Sequence, residues 1–190
     1  MTDIVTLLAI NFAALIAAIL ILWGIAVAIR DVSFIGAFWA FGMVLLALAS
    51  AAQVGIEGVH AAAILALTAL WGLRLSIHLF VRWRAHGEDP RYTRIMARTM
   101  ERRGWSWAQT ALLTVFLTQA PLLFLTCLPA QIGIWASVAD PVPALGVIGW
   151  AGVAAALTGI AFESIGDAQL DAFRKNPANK GKVLDTGLWR

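Results

Sequence analysis

Residues 4–29 read IVTLLAINFAALIAAILILWGIAVAI, a stretch without a single Asp, Glu, Lys or Arg. A helix needs roughly 20 apolar residues, at about 1.5 Å each, to cross the ~30 Å hydrocarbon core of a bilayer. This run exceeds that length. It also exceeds the apolar core of a secretory leader, and no basic residue precedes it, so it reads as a retained span rather than a cleaved signal.

The same feature recurs along the chain. Residues 32–56, 104–139 and 141–162 carry no charge, and a fifth run, 58–73, continues through Arg74 to about Val81. Of the 190 residues, 61% are hydrophobic and 13% charged, where a soluble domain is nearer half apolar and a quarter charged. Only helices and closed barrels satisfy their backbone inside lipid, and runs of this length are helical. The expected architecture is all-α, a polytopic transmembrane helical bundle with five spans at about 4–29, 32–54, 59–81, 106–128 and 144–172. It forms one transmembrane domain over 1–190, without a linker, low-complexity tract or internal repeat.

Several function classes fall away at this point. Cys127 is the one cysteine and lies in an apolar run, so disulfides and thiolate metal sites are not expected. No Cys/His metal spacing, Gly-rich phosphate loop or nucleophile elbow is present, and no metal site is expected. The sequence pI of about 9.6 invites a nucleic-acid reading, but the placement of the charges opposes it.

Seven arginines fall in 82–103 (Arg82, Arg84, Arg91, Arg94, Arg98, Arg102 and Arg103), four further bases in 174–182, and Arg190 ends the sequence. The N-terminus and the connections near 53–60 and 129–145 carry none. By the positive-inside rule the basic segments face the cytoplasm, which puts the N-terminus on the periplasmic side and 82–103 and 174–190 inside. An integral protein of the bacterial inner membrane is the expectation, with the lipid bilayer as partner. Between the third and fourth spans, 83–105 reads as a cytoplasmic interfacial segment. Arg91, Arg94, Arg98 and Arg102 share one face there, and Tyr92, Ile95, Met96, Thr99 and Met100 another. Attraction to anionic lipid accounts for this pattern, and so does recognition of a phosphate-bearing cofactor, since arginine binds phosphate bidentately. Composition leaves both open.

Ionisable residues at membrane depth are costly and therefore informative. Arg74, His78 and Arg82 recur at intervals of four on the third span. Arg74 can snorkel to the interface, while His78 is either a packed, hydrogen-bonded histidine or a catalytic one. On the fifth span Glu163, Asp167, Asp171 and Arg174 form a stripe. Pairing within the bundle would explain the acids, with Arg74 a plausible partner. Carboxylates followed by bases one to two turns later also suit a nucleotide, the acids accepting hydrogen bonds and the bases meeting phosphate.

Two segments carry a family resemblance: WGLRLSIHLFVRWRAHGEDPRY at 71–92 and FESIGDAQLDAFRKNPANKGKVLDTGLWR at 162–190. They resemble a W-x-x-R-L tract, G-E-D-x-R-Y, E-x-x-x-D-x-Q-L-x-x-F and a K-G…G-L-W-R segment. These belong to bacterial membrane proteins of uncharacterised function related to the steroid 5-alpha-reductases. The resemblance spans essentially the whole chain. It implies NADPH held within a bundle of about seven helices and hydride delivery to an alkene conjugated to a ketone. By the family's spacing, Glu163, Asp167, Arg174 and Lys182 fall on cofactor-binding positions, Glu163 standing where the steroid enzymes generally have Asn. In such relatives GLWR runs on into a Y-x-R-H-P-N-Y-x-G-E-like segment and about two more spans, so the resemblance implies a truncated C-terminus after Arg190.

The functional expectation is an integral-membrane, NADPH-dependent reductase acting on CH–CH groups of a lipophilic small-molecule enone, steroid- or isoprenoid-like. Arg74 or His78 would be the catalytic donor to the carbonyl oxygen. One alternative is a methyltransferase of the same superfamily using S-adenosylmethionine. Another is a non-enzymatic membrane or lipid-binding protein whose polar stripe holds the bundle together.

Overall fold

The computed structural model describes residues 2–190, all-α among them, in two compact units, one reaching to Ala144 and one from Leu145 to Arg190. The first unit holds α1 (Ile4–Ile29), α2 (Ile35–Val54), α3 (Val59–His86), α4 (Pro90–Arg103), α5 (Trp107–Thr110), α6 (Leu117–Thr126) and α7 (Leu128–Ala139). A π-helical segment, Ala111–Phe116, joins α5 to α6, so Trp107–Thr126 is one continuous span. The second unit holds α8 (Val147–Lys175) and two short 3-10 turns, Pro177–Asn179 and Gly187–Trp189. Among the described residues five helices are long and apolar enough to cross a membrane: α1, α2, α3, the Trp107–Thr126 span and α8. This is the composition of an integral membrane protein.

Sequence chemistry sets the boundaries of these helices. Asp3 starts α1 by accepting from the Thr6 amide at 3.0 Å and the Thr6 hydroxyl at 2.6 Å. Between α1 and α2 the Asp31 carboxylate accepts from the Ser33 amide at 2.7 Å and its hydroxyl at 2.6 Å, folding the turn. Ser106 and Gln109 cap each other reciprocally and start α5. Gly104, at φ 66°, closes α4 in the left-handed region that side chains with a Cβ avoid.

Helix α2 runs through the middle of the first unit. Ile35, Phe38, Met43, Val44, Leu46 and Ala47 are buried along it, against α1, α3, α6 and α7. One close approach sets the α2–α3 spacing. A Cβ added at Gly72 would lie 2.8 Å from the Ala40 carbonyl oxygen and would also meet the Val44 side chain. Backbone nears backbone there because Gly72 has no side chain. Phe116, Leu123 and Val115 fill the space between α1, α2 and the fourth span.

Inside the same unit three helices share a buried amide network. The Asn11 amide donates to the Ser50 hydroxyl at 2.7 Å and to Gln131 Oε1 at 2.8 Å, and Gln53 Nε2 donates to Asn11 Oδ1 at 2.8 Å. Asn11, Ser50 and Gln131 are wholly buried.

Two measurements check this packing. Gly72→Ala is expected to lose about 1–3 kcal/mol, the range for overpacking, seen as a lower melting temperature in detergent. Gly152→Ala, on α8 where an added Cβ meets nothing within 4 Å, is expected to leave it unchanged or raised. Asp89 caps α4 through the Arg91 amide at 2.9 Å and chelates the Arg91 guanidinium, which holds its carboxyl near pKa 2 instead of 3.8. A depressed pKa stabilises above the ordinary value, and the contribution is lost as pH falls through about 2. Asp89→Ala is therefore expected to lose about 1 kcal/mol at neutral pH, with the gap from the parent protein narrowing between pH 4 and pH 2.

Candidate functional site

On α8 the carboxylates Glu163, Asp167 and Asp171 recur every four residues, one stripe on a helix of about 3.6 residues per turn. All three are half-buried, whereas Phe162, Ile165, Ala168 and Ala172 beside them are exposed. The apolar face is thus the more exposed one and the acidic face the less exposed, which suits a membrane helix that carries charge.

Beyond Lys175 the chain turns back along α8. Asn176 caps the 3-10 turn by accepting from the Ala178 amide at 3.0 Å, and Asn179 Nδ2 donates to the Phe173 carbonyl at 2.9 Å. The returning end is pinned twice. The Leu188 amide donates to Gln169 Oε1, and Trp189 Nε1 donates to the Gly166 carbonyl, both at 2.9 Å. Gly166 is the buried residue of α8. Gly187 sits at φ 65°, a backbone that favours glycine, and a Cβ there would lie 2.5 Å from Gln169 Oε1 and push aside the amide that holds Leu188.

Between this strap and the last turns of α8 lies a cleft of about 590 Å³. Arg174, Lys180 and Lys182 give it positive charge, and Leu170, Phe173 and Trp189 give it apolar wall. The fold therefore brings Arg174 and Lys182 together, eight residues apart in sequence. Asp167 and Glu163 are outside the lining and lie further up α8, about 10 Å and 16 Å before Arg174 at 1.5 Å per residue. Arg74 and His78 belong to the first unit, half-buried on α3, on a different face from exposed Leu73 and Ile77.

Lys180 is one of the four bases the sequence places in 174–182, whereas Gln169 and Trp189 carry no such signal. No period marks them, because the strap is held by side-chain and backbone hydrogen bonds across 19 and 23 residues. In the family pattern Gln169 falls in Q-L, and Lys180 and Trp189 fall in K-G…G-L-W-R. Among the described residues no group of three or more His, Cys, Asp or Glu side chains is arranged to hold a metal ion.

The cleft predicts a protease test. Trp189→Phe removes the bond to Gly166, and a hydrogen bond nets about 1 kcal/mol, roughly a fivefold change in local opening. Tryptic cleavage after Lys180 and Lys182 is expected to accelerate about that much, and Gly187→Ala is expected to accelerate it further.

No curated protein and no solved structure matches this sequence. One family does, over residues 22–190, from within α1 to the end of the strap. The match takes in α8, the cleft and both strap anchors, and on it the chain belongs to the family described as "Protein of unknown function (DUF1295)".

Proposed function

We propose that the protein is a membrane-embedded, NADPH-dependent reductase of a lipophilic enone, related to the steroid 5-alpha-reductases. The observation that carries this reading is the convergence of Arg174 and Lys182 on one cleft at the end of a helix that also bears Glu163 and Asp167. Such a ligand is elongated and has phosphates at one part and hydrogen-bonding ribose and amide groups at another. Basic side chains in the cleft suit the phosphates, with Lys180 adding a third cation. Carboxylates about two and three turns up the helix from Arg174 suit the donors of the other part. Phe173 and Trp189 offer flat apolar surface in the same cleft.

When bound, the nicotinamide would supply the hydride, and the protein would supply position and charge. Arg74 and His78 are the candidates for steadying charge on the enone oxygen, each being a donor withdrawn from the exposed face of α3. The exposed apolar faces of the spans suit a substrate that arrives through the lipid. In this reading the protein sits in a bacterial inner membrane with its N-terminus periplasmic, and 82–103 and 174–190 face the cytoplasmic pool of cofactor.

Thermal unfolding in detergent tests the proposal. A ligand present at 100 times its dissociation constant stabilises by about 2.7 kcal/mol. NADPH is expected to raise the melting temperature, NADH and S-adenosylmethionine are not, and the shift is expected to vanish in Asp167→Ala and Arg174→Ala. A response to S-adenosylmethionine alone would replace the reductase by the methyltransferase reading. Silence with all three ligands would overturn both.

A further inference from the structure

Helix α4 is tied down at both ends. Three residues, Gly87–Asp89, connect it to α3, and three more, Gly104–Ser106, connect it to the fourth span. Three residues reach about 10 Å at full extension, so this 14-residue helix, about 21 Å long, has to lie across the end of the bundle. Its inner face is seated there. Met96 is 3% exposed and joins the core cluster, with Tyr92, Trp83 and Trp107 packed against that cluster, and Thr99 is buried beside it.

The outer edge is a row of arginines with no core beneath it. Arg94, Arg98 and Arg102 are exposed and recur every four residues, about 6 Å apart along the axis. Arg94 Nε donates to the Pro90 carbonyl of its own helix at 3.1 Å, and the neighbouring charges are engaged elsewhere. Arg91 is chelated by Asp89, its Nη2 2.6 Å from Oδ2. The Arg103 guanidinium stacks 5.3 Å from the Trp105 ring, and Arg30 stacks 5.4 Å from the Trp107 ring. Asp31 accepts from Trp83 Nε1 at 2.7 Å, and both burial and the Asp31 charge push the Glu88 carboxyl above its ordinary range. Glu101 borders the row on one side, and on the other lies Ile95, an apolar side chain 46% exposed.

The geometry points to the Arg94–Arg98–Arg102 edge of α4 as a docking surface for anionic phospholipid headgroups. Guanidinium groups grip phosphodiesters bidentately and at this height meet them at high density. Trp105 and Trp107 mark the level as the membrane boundary, where indole rings reside. Ile95 favours lipid over dissolved phosphate, because an exposed isoleucine beside the arginines gains by meeting an acyl chain and gains nothing from a free ion. This surface lies on α4 and is independent of the α8 cleft.

Lipid titration of the detergent-purified full chain, read by native mass spectrometry, tests the assignment. Phosphatidylglycerol is expected to bind at least tenfold more tightly than phosphatidylcholine. The triple variant Arg94→Gln, Arg98→Gln, Arg102→Gln is expected to abolish that preference, and Arg98→Gln alone to reduce it severalfold, which keeps a readout if the triple variant folds poorly. A charge-matched control, Arg84→Gln, Lys175→Gln, Arg190→Gln, is expected to keep it. Equal phosphatidylglycerol binding by the folded triple variant would overturn the proposal. So would displacement of the lipid by millimolar inorganic phosphate, since the edge would then be a site for free anions.

Discussion

In hydrocarbon a polar group finds its partner within the protein or goes without, and the first unit is organised around one group that does so. Asn11 sits wholly buried in an α1 that is apolar apart from Thr6 in its first turn, and reaches Ser50 and Gln53 on α2 and Gln131 on α7. Lipid tails are as apolar as leucine, so apolar burial alone gives these helices little reason to prefer one another. A shared amide network gives direction: rotating α1 by one residue would strand Asn11 among side chains that cannot hydrogen-bond. The network continues into backbone, with Gln131 Nε2 donating to the Phe124 carbonyl at 3.2 Å and Ser50 donating to Leu46 at 2.9 Å. Registry between α1, α2 and α7 thus follows from polar satisfaction, and Gly72 then lets α3 close on α2.

Indole N–H groups do similar work at the two ends of that unit. Trp135 donates to the Thr2 carbonyl at 2.9 Å, tying α7 to the start of α1. At the opposite end Trp23 donates to the Ala108 carbonyl at 3.0 Å and Trp83 to the Asp31 carboxylate at 2.7 Å. A tryptophan suits this place because its ring is apolar and its single donor wants a partner. These bonds fix where α3 ends and where the fourth span begins. They therefore fix the two anchor points between which α4 is stretched.

How much of this was legible in the sequence depended on whether the signal was local. Absence of charge over 4–29 or 32–56 is a local property, and it showed membrane helices directly. The four-residue spacing of Arg94, Arg98 and Arg102, or of Glu163, Asp167 and Asp171, showed a face. The run 104–139 hid its structure, because the π-helical turn at Ala111–Phe116 and the break between Thr126 and Leu128 change no composition. Asn11 and Gln131 were invisible as a pair since 120 residues separate them. The strap was hidden for the same reason: Gln169 and Gly166 are ordinary helix residues until Leu188 and Trp189 return to them.

The polar groups divide by charge. Within the network of α1, α2 and α7 every member is a neutral amide or hydroxyl, which is what stability alone favours, since a neutral pair avoids the desolvation penalty of ions. On α8 the chain instead places carboxylates at 163, 167 and 171, and at the helix end it assembles Arg174, Lys180 and Lys182 around a cleft. Holding a helix together does not require a cleft lined by three cations, because like charges brought close repel. Such a grouping is stabilised when an anion enters it. The strap that builds the cleft depends on a left-handed glycine and on two hydrogen bonds aimed at one stretch of α8, Gly166–Gln169. This gathering of cations at a structural expense is what supports the proposed reading of the cleft as an anion site.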